Sequence, residues 1–186
     1  MAGLLLIDFQ TGFDSPAWGT RNNPRAEAEA ARLLAHWRAA SAPVIHVRHL
    51  STTARSPLAP ASGGTAFKPE VAPAPGETVL EKTVNSAFIG TGLEAHLRAR
   101  GIGQLVICGL TTPHCVSTTA RMAANLGFDV VLAHEACAAF SGNADTGWCA
   151  GLAPMTPEAI HAAAVSHLHG EFVQARATDA LLRQAP

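Results

Sequence analysis

The sequence predicts an α/β fold, a three-layer Rossmann-like α/β/α arrangement with a parallel six-stranded sheet and helices on both faces. Two observations carry this. Six short apolar runs have the length and Val/Ile/Leu content of strands buried on both faces. Between several of them lie helical stretches that open near Pro and close at Gly, and strands alternating with helices make crossover units. At 186 residues the chain fits one domain, 1–186, and is long enough to bury a core without disulfides or metals.

The strands are expected at Leu4–Ile7, Val44–Val47, Thr78–Leu80, Leu105–Cys108, Val130–Leu132 and Glu171–Val173. The first helix starts at Asn23-Pro24, with Asn as N-cap and Pro at N1, and runs to about Ala40. The second spans Thr91 to Arg100 and closes at Gly101; the third runs from Pro113 to Leu126 and closes at Gly127. The fourth covers Pro157 to His169, before Gly170. The segment from Ser51 to Pro75, rich in Pro, Gly, Ser and Ala, is too long for a routine connection and reads as a lid, a binding loop or an interface arm.

Composition removes several function classes. Thirteen Lys+Arg against fourteen Asp+Glu leave a formal charge of −1, which offers no electrostatic grip on nucleic acid. The Leu4–Ile7 run is far too short to span a bilayer, and no basic leader precedes it, so neither a membrane nor a signal peptide is expected and the location read is cytoplasmic. Cys108, Cys115, Cys137 and Cys149 contain no Cys-x-x-Cys pair and read as free thiols. The serine-hydrolase elbow and the phosphate-binding glycine loops are missing, and His167-Leu-His169 reads as a helix end rather than a metal pair.

In an open parallel sheet, ligands bind beyond the carboxyl ends of the strands. Asp8 stands there after the first run, His46, Arg48 and His49 at the end of the second, and Lys82 after the third. Thr111, Thr112, His114 and Cys115 follow the fourth run, and Glu135 the fifth. With Thr112 as N-cap and Pro113 at N1, Cys115 falls in the first helical turn, where the helix dipole lowers a thiol pKa and backbone N–H groups can bind an oxyanion. Asp8, Lys82 and Cys115 together suggest a carboxylate that takes a proton, an ammonium that stabilises negative charge, and a nucleophile.

Three ordered blocks then resemble the isochorismatase-like cysteine hydrolases: Leu4 to Gln10 (LLLIDFQ), Glu81 to Thr91 (EKTVNSAFIGT) and Cys108 to Ala120 (CGLTTPHCVSTTA). The resemblance implies a strand order 3-2-1-4-5-6 and an Asp–Lys–Cys triad at Asp8, Lys82 and Cys115. It also implies a cis peptide at Leu110–Thr111 and an oxyanion hole from the N–H groups of Thr111 and Cys115. Nicotinamidase-type members carry an Asp-x-His metal cluster after the second strand, whereas this chain reads His46-Val-Arg-His49, so no metal or other cofactor is expected. Members that cleave the vinyl ether of isochorismate can lack the cysteine, so Cys115 favours amide chemistry.

The expected function is therefore hydrolysis of a small-molecule C–N bond, amide or carbamoyl, through a Cys115 thioester. The alternatives are vinyl-ether hydrolysis or a silent binding module on the same scaffold. Closeness to the triad blocks nominates Gln10, Phe13, Trp18, Phe67, Asn85, Phe88 and His114 as substrate contacts. A depressed thiol pKa would make activity rise with pH. The Ala-rich stretches 26–40 and 159–165, and a Ser51–Pro75 segment ordered by a neighbour, point to a homo-oligomer, as does the resemblance, whose members are commonly dimers or tetramers.

Overall fold

The computed structural model describes residues 2–186. Strand β1 (Ala2–Ile7) is buried at every position, which is why its sequence is an unbroken apolar run. It lies at the centre of one sheet with β2 (Val44–His49), β3 (Thr78–Lys82), β4 (Gln104–Leu110), β5 (Asp129–Ala138) and β6 (Gln174–Arg176). The order is β3-β2-β1-β4-β5-β6 and every pairing is parallel.

The chain steps from β1 outward to β3, then returns and steps from β4 outward to β6. Right-handed crossovers in opposite directions put their helices on opposite faces. Helix α1 (Ala26–Ala39) packs with α5 (Thr178–Leu182), whereas α3 (Ser117–Asn125) packs with α4 (Pro157–Leu168); α2 (Leu93–Ala99) joins β3 to β4. The order reverses between β1 and β4, the place where such sheets open a crevice. The two strands meet closely: a Cβ on Gly109 would stand 2.2 Å from the Ile7 carbonyl oxygen, so only glycine fits.

Three local expectations are corrected. Helix α1 begins at Ala26, because Asn23 adopts φ +43° and its amide donates across the sheet edge to the carbonyls of Glu135 (2.6 Å) and Cys137 (2.7 Å). Strand β6 lies at Gln174–Arg176 rather than Glu171–Val173, since Phe172 and Val173 turn back to donate to the Leu168 carbonyl and close α4. The third helix is preceded by a wide π-helical turn, Thr112–Val116, so α proper begins at Ser117.

The Ser51–Pro75 segment is tied to its own chain at several points. Thr11 and Gly12 donate to the carbonyls of Ala66 (2.9 Å) and Gly64 (2.8 Å), and Lys68 donates to that of Phe9 (2.9 Å). Gly12 and Gly64 permit the contact: a Cβ on either would fall within 2.6 Å of the Pro57 oxygen. The buried Lys68 ammonium ties the segment to Asp14 and, at 3.3 Å, to Glu27. The segment thus folds over the carboxyl ends of β1 and β2. Among the described residues, no helix is long and apolar enough to cross a membrane.

Gly109→Ala is expected to cost at least about 2 kcal/mol by overpacking. That corresponds to a fall in Tm of about 5 °C or more for a chain of this size, measurable by thermal unfolding.

Candidate active site

Asp8 follows β1 directly and its backbone turns sharply out of the strand at φ +55°, a left-handed conformation that Asp tolerates better than most residues. Its amide donates to the Val47 carbonyl (2.9 Å), which keeps the turn against β2. The side chain is fully buried. Lys82, at the end of β3, pairs in register with His49 at the end of β2. From there its extended stem crosses the end of β2, and Nζ stops 2.6 Å from Asp8 Oδ2. The two-strand separation of Asp8 and Lys82 is thus bridged by the length of the lysine. Cys115 comes from the π-helical turn after β4, and its Sγ accepts from Lys82 Nζ at 3.2 Å. The three residues named from sequence converge on one buried point.

A fourth residue joins them. His49 Nδ1 lies 2.9 Å from Lys82 Nζ, so the ammonium has three neighbours for its three N–H groups: carboxylate, imidazole and sulfur. Gln10, buried, clamps the His49 backbone on both sides: His49 N–H donates to Oε1 (2.7 Å), and Nε2 donates to the His49 carbonyl (3.0 Å). The sequence nominated Gln10 as a substrate contact, but all of its polar atoms are spent on main chain. The donor atoms of Asp8, His49 and Cys115 lie within 4.8 Å of one another, a spacing a metal could use. The Lys82 ammonium occupies the space between them, so the set fits a lysine cation and not an additional ion.

Burial sets the protonation. Desolvation raises the Asp8 carboxyl above its usual range despite the Lys82 charge. Burial and the neighbouring Asp8 charge push the Cys115 thiol up to about 12, with Lys82 opposing. The expectation of a depressed thiol pKa is therefore corrected. Thr112 does not cap a helix over Cys115; its hydroxyl meets His161 Nδ1 at 2.9 Å. Burial and the Lys82 charge bring His49 down to about 4, so its ring is neutral.

Above the sulfur lies a cavity of about 160 Å³ lined by Phe13, Trp18, His49, Ser51, Ser56, Leu58, Asn85, Thr111, His114 and Cys115. Phe13 and Trp18 form an aromatic wall, centroids 4.9 Å apart, and the Trp18 indole is fixed by donation to the Gly12 carbonyl (2.9 Å). Asn85 Oδ1 lies 3.7 Å from Sγ. Thr111 begins the turn that carries Cys115, and the Leu110–Thr111 peptide is cis.

Two nominated residues lie elsewhere. Phe67 packs edge-on to His46 with Arg48 over its face, because its backbone bridge to Gln10 turns the ring away from the cavity. Phe88 stacks on Phe128 in the core. Ser51, Ser56 and Leu58 were missed because they belong to a segment without periodicity. Glu135 lies within β5, and its carboxylate accepts from the Thr178 amide (2.8 Å) at the start of α5.

Asp8→Asn separates the two roles of that carboxylate. Loss of its negative charge leaves Lys82 acting alone on the sulfur, so Cys115 alkylation by iodoacetamide at pH 7 should speed up, about tenfold per unit by which the thiol falls. Turnover should drop by about 10²-fold or more because the base is gone. Slower alkylation would contradict the stated electrostatics.

The isochorismatase domain model matches residues 2–168. The uncharacterized isochorismatase family protein YrdC of Bacillus subtilis is 42% identical over 181 residues, covering 96% of this chain and 93% of its own. A crystal structure of an isochorismatase-family protein from Chromobacterium violaceum superposes with a TM-score of 0.90 at 46% identity, covering 98% of this chain and 92% of its own. Streptothricin hydrolase of Streptomyces noursei is 38% identical over 137 residues, 74% of this chain and 49% of that protein. With its sheet order and matched domain, the chain belongs to the isochorismatase family of hydrolases.

Proposed function

We propose that the protein hydrolyses a small, uncharged amide or carbamoyl compound through a Cys115 thioester. The observation that carries this reading is the contact of one buried ammonium with both a carboxylate and a thiol, directly beneath a small cavity. The similarity to a streptothricin hydrolase supports hydrolytic chemistry of this kind.

In the first step Asp8 takes the Cys115 proton as Sγ attacks the carbonyl carbon. Lys82 holds the negative charge that moves from carboxylate to sulfur, which keeps the transfer inside a neutralised site. The N–H groups of Thr111 and Cys115 receive the carbonyl oxygen as it becomes an oxyanion. Collapse breaks the C–N bond, and the protonated Asp8 returns its proton to the departing nitrogen. Asp8 then takes a proton from water as the water oxygen attacks the thioester; collapse breaks the C–S bond, the proton passes from Asp8 to the Cys115 sulfur, and the acid leaves with the thiol and the carboxylate restored.

The cavity restricts the substrate. A volume of about 160 Å³ equals that of about five waters, so only a compact amide end enters. No lining side chain carries a fixed charge; burial holds His114 below its ordinary value, so it too is neutral. A substrate carboxylate would meet no cationic partner beyond the occupied Lys82.

Screening neutral amides, carbamoyl compounds and lactams for ammonia or amine release tests the reading. Cys115→Ser should lose activity by about 10³-fold or more, and acid quench of the active enzyme should leave an acyl adduct on Cys115. Retained activity in Cys115→Ser would remove the thioester. The reactive form pairs a thiol with an ionised Asp8, so the rate should rise as pH climbs through the raised Asp8 pKa. Above that pKa it should level off, because the thiol keeps its proton until much higher pH.

A further inference from the structure

We propose that His49 is a positioning residue: its neutral Nδ1 holds one N–H of Lys82 so that another is aimed at the Cys115 sulfur. This rests on the thiol being the nucleophile, and it adds a residue to the machinery that performs the reaction.

The geometry assigns the role. An ammonium offers three N–H groups in a fixed tetrahedral array. If only Asp8 held it, the group could rotate about the Nζ–Oδ2 contact or present two N–H groups to the carboxylate. A second fixed acceptor removes that freedom and determines where the third N–H points. His49 Nδ1, 2.9 Å from Nζ, supplies it, and Sγ lies 3.2 Å from the same Nζ. The acceptor is itself fixed, since Gln10 bonds both the N–H and the carbonyl of His49.

The tautomer follows. An ammonium can only donate, so Nδ1 must carry the lone pair and the ring proton sits on Nε2. A doubly protonated ring would set two cations side by side, and the low His49 pKa agrees with a neutral imidazole. Lys82 is the charged group against this ring. Arg48 and Glu81, adjacent in sequence to His49 and Lys82, pair with each other on the opposite side of the strands. Asp8, Lys82 and His49 surround the sulfur, with His114 on the same cavity wall.

Variants of His49 distinguish aim from bulk, because an Asn amide oxygen falls near the place of Nδ1 while a Gln amide falls near that of Nε2. The probe is iodoacetamide, with Cys115 modification followed by mass spectrometry at several pH values in a Cys149→Ser background, which removes the exposed thiol. Thermal unfolding checks that each variant is folded. His49→Ala and His49→Gln should slow Cys115 alkylation at pH 8 by about tenfold or more, the scale of one lost hydrogen bond to a charged group, and move the midpoint upward. His49→Asn should stay within about threefold of the unsubstituted protein on the same scale. An unchanged rate in His49→Ala, or a His49→Asn protein as slow as the alanine variant, would overturn the proposal. Alkylation needs no substrate, so a positive result here with no amide turned over would sink the hydrolytic reading and leave the role of His49 standing.

Discussion

The site depends on one buried cation. Lys82 brings a charge to a point where Asp8 and Cys115 are both shielded from water, and every other feature of the centre compensates or exploits that charge. An unpaired ammonium would be expelled from such a place or lose its proton. Asp8 neutralises it, His49 and the sulfur satisfy its remaining N–H groups, and the resulting cluster is electrically balanced while one proton moves from sulfur to carboxylate. The space a metal could occupy is filled by the lysine, so charge stabilisation is written into the chain itself.

The fold serves this arrangement through two close approaches. Gly109 lets β4 press against β1, which brings the Cys115 turn over Asp8. Gly12 and Gly64 let the Ser51–Pro75 segment settle on the turn after β1, and that segment supplies Ser51, Ser56 and Leu58 to the cavity wall. The paired ends of β2 and β3 set His49 beside the lysine stem, so the register of these two strands fixes the geometry around the nucleophile.

The sheet and the triad were legible because their signals are local: the unbroken Leu4–Ile7 run reads as a buried strand, Asp8 follows that strand directly, Lys82 ends β3, and Cys115 lies in the turn after β4. What stayed hidden depends on packing. Gln10 and Phe88 sit in or beside the matching blocks, yet one amide is consumed by main chain and the other ring by the core. The thiol pKa was misjudged because a helix N-terminus can be read from Pro113, whereas the burial that outweighs it cannot. His49 was visible as a residue at a strand end, but its partner emerges only when β2 and β3 are aligned.

Neutron diffraction from a deuterated crystal tests the central claim most directly, because it locates the protons of the cluster. The account predicts three deuterons on Lys82 Nζ, directed at Asp8 Oδ2, His49 Nδ1 and Cys115 Sγ, with the His49 ring deuterated on Nε2 alone. A neutral Lys82 amine, or a deuteron on His49 Nδ1, would contradict it.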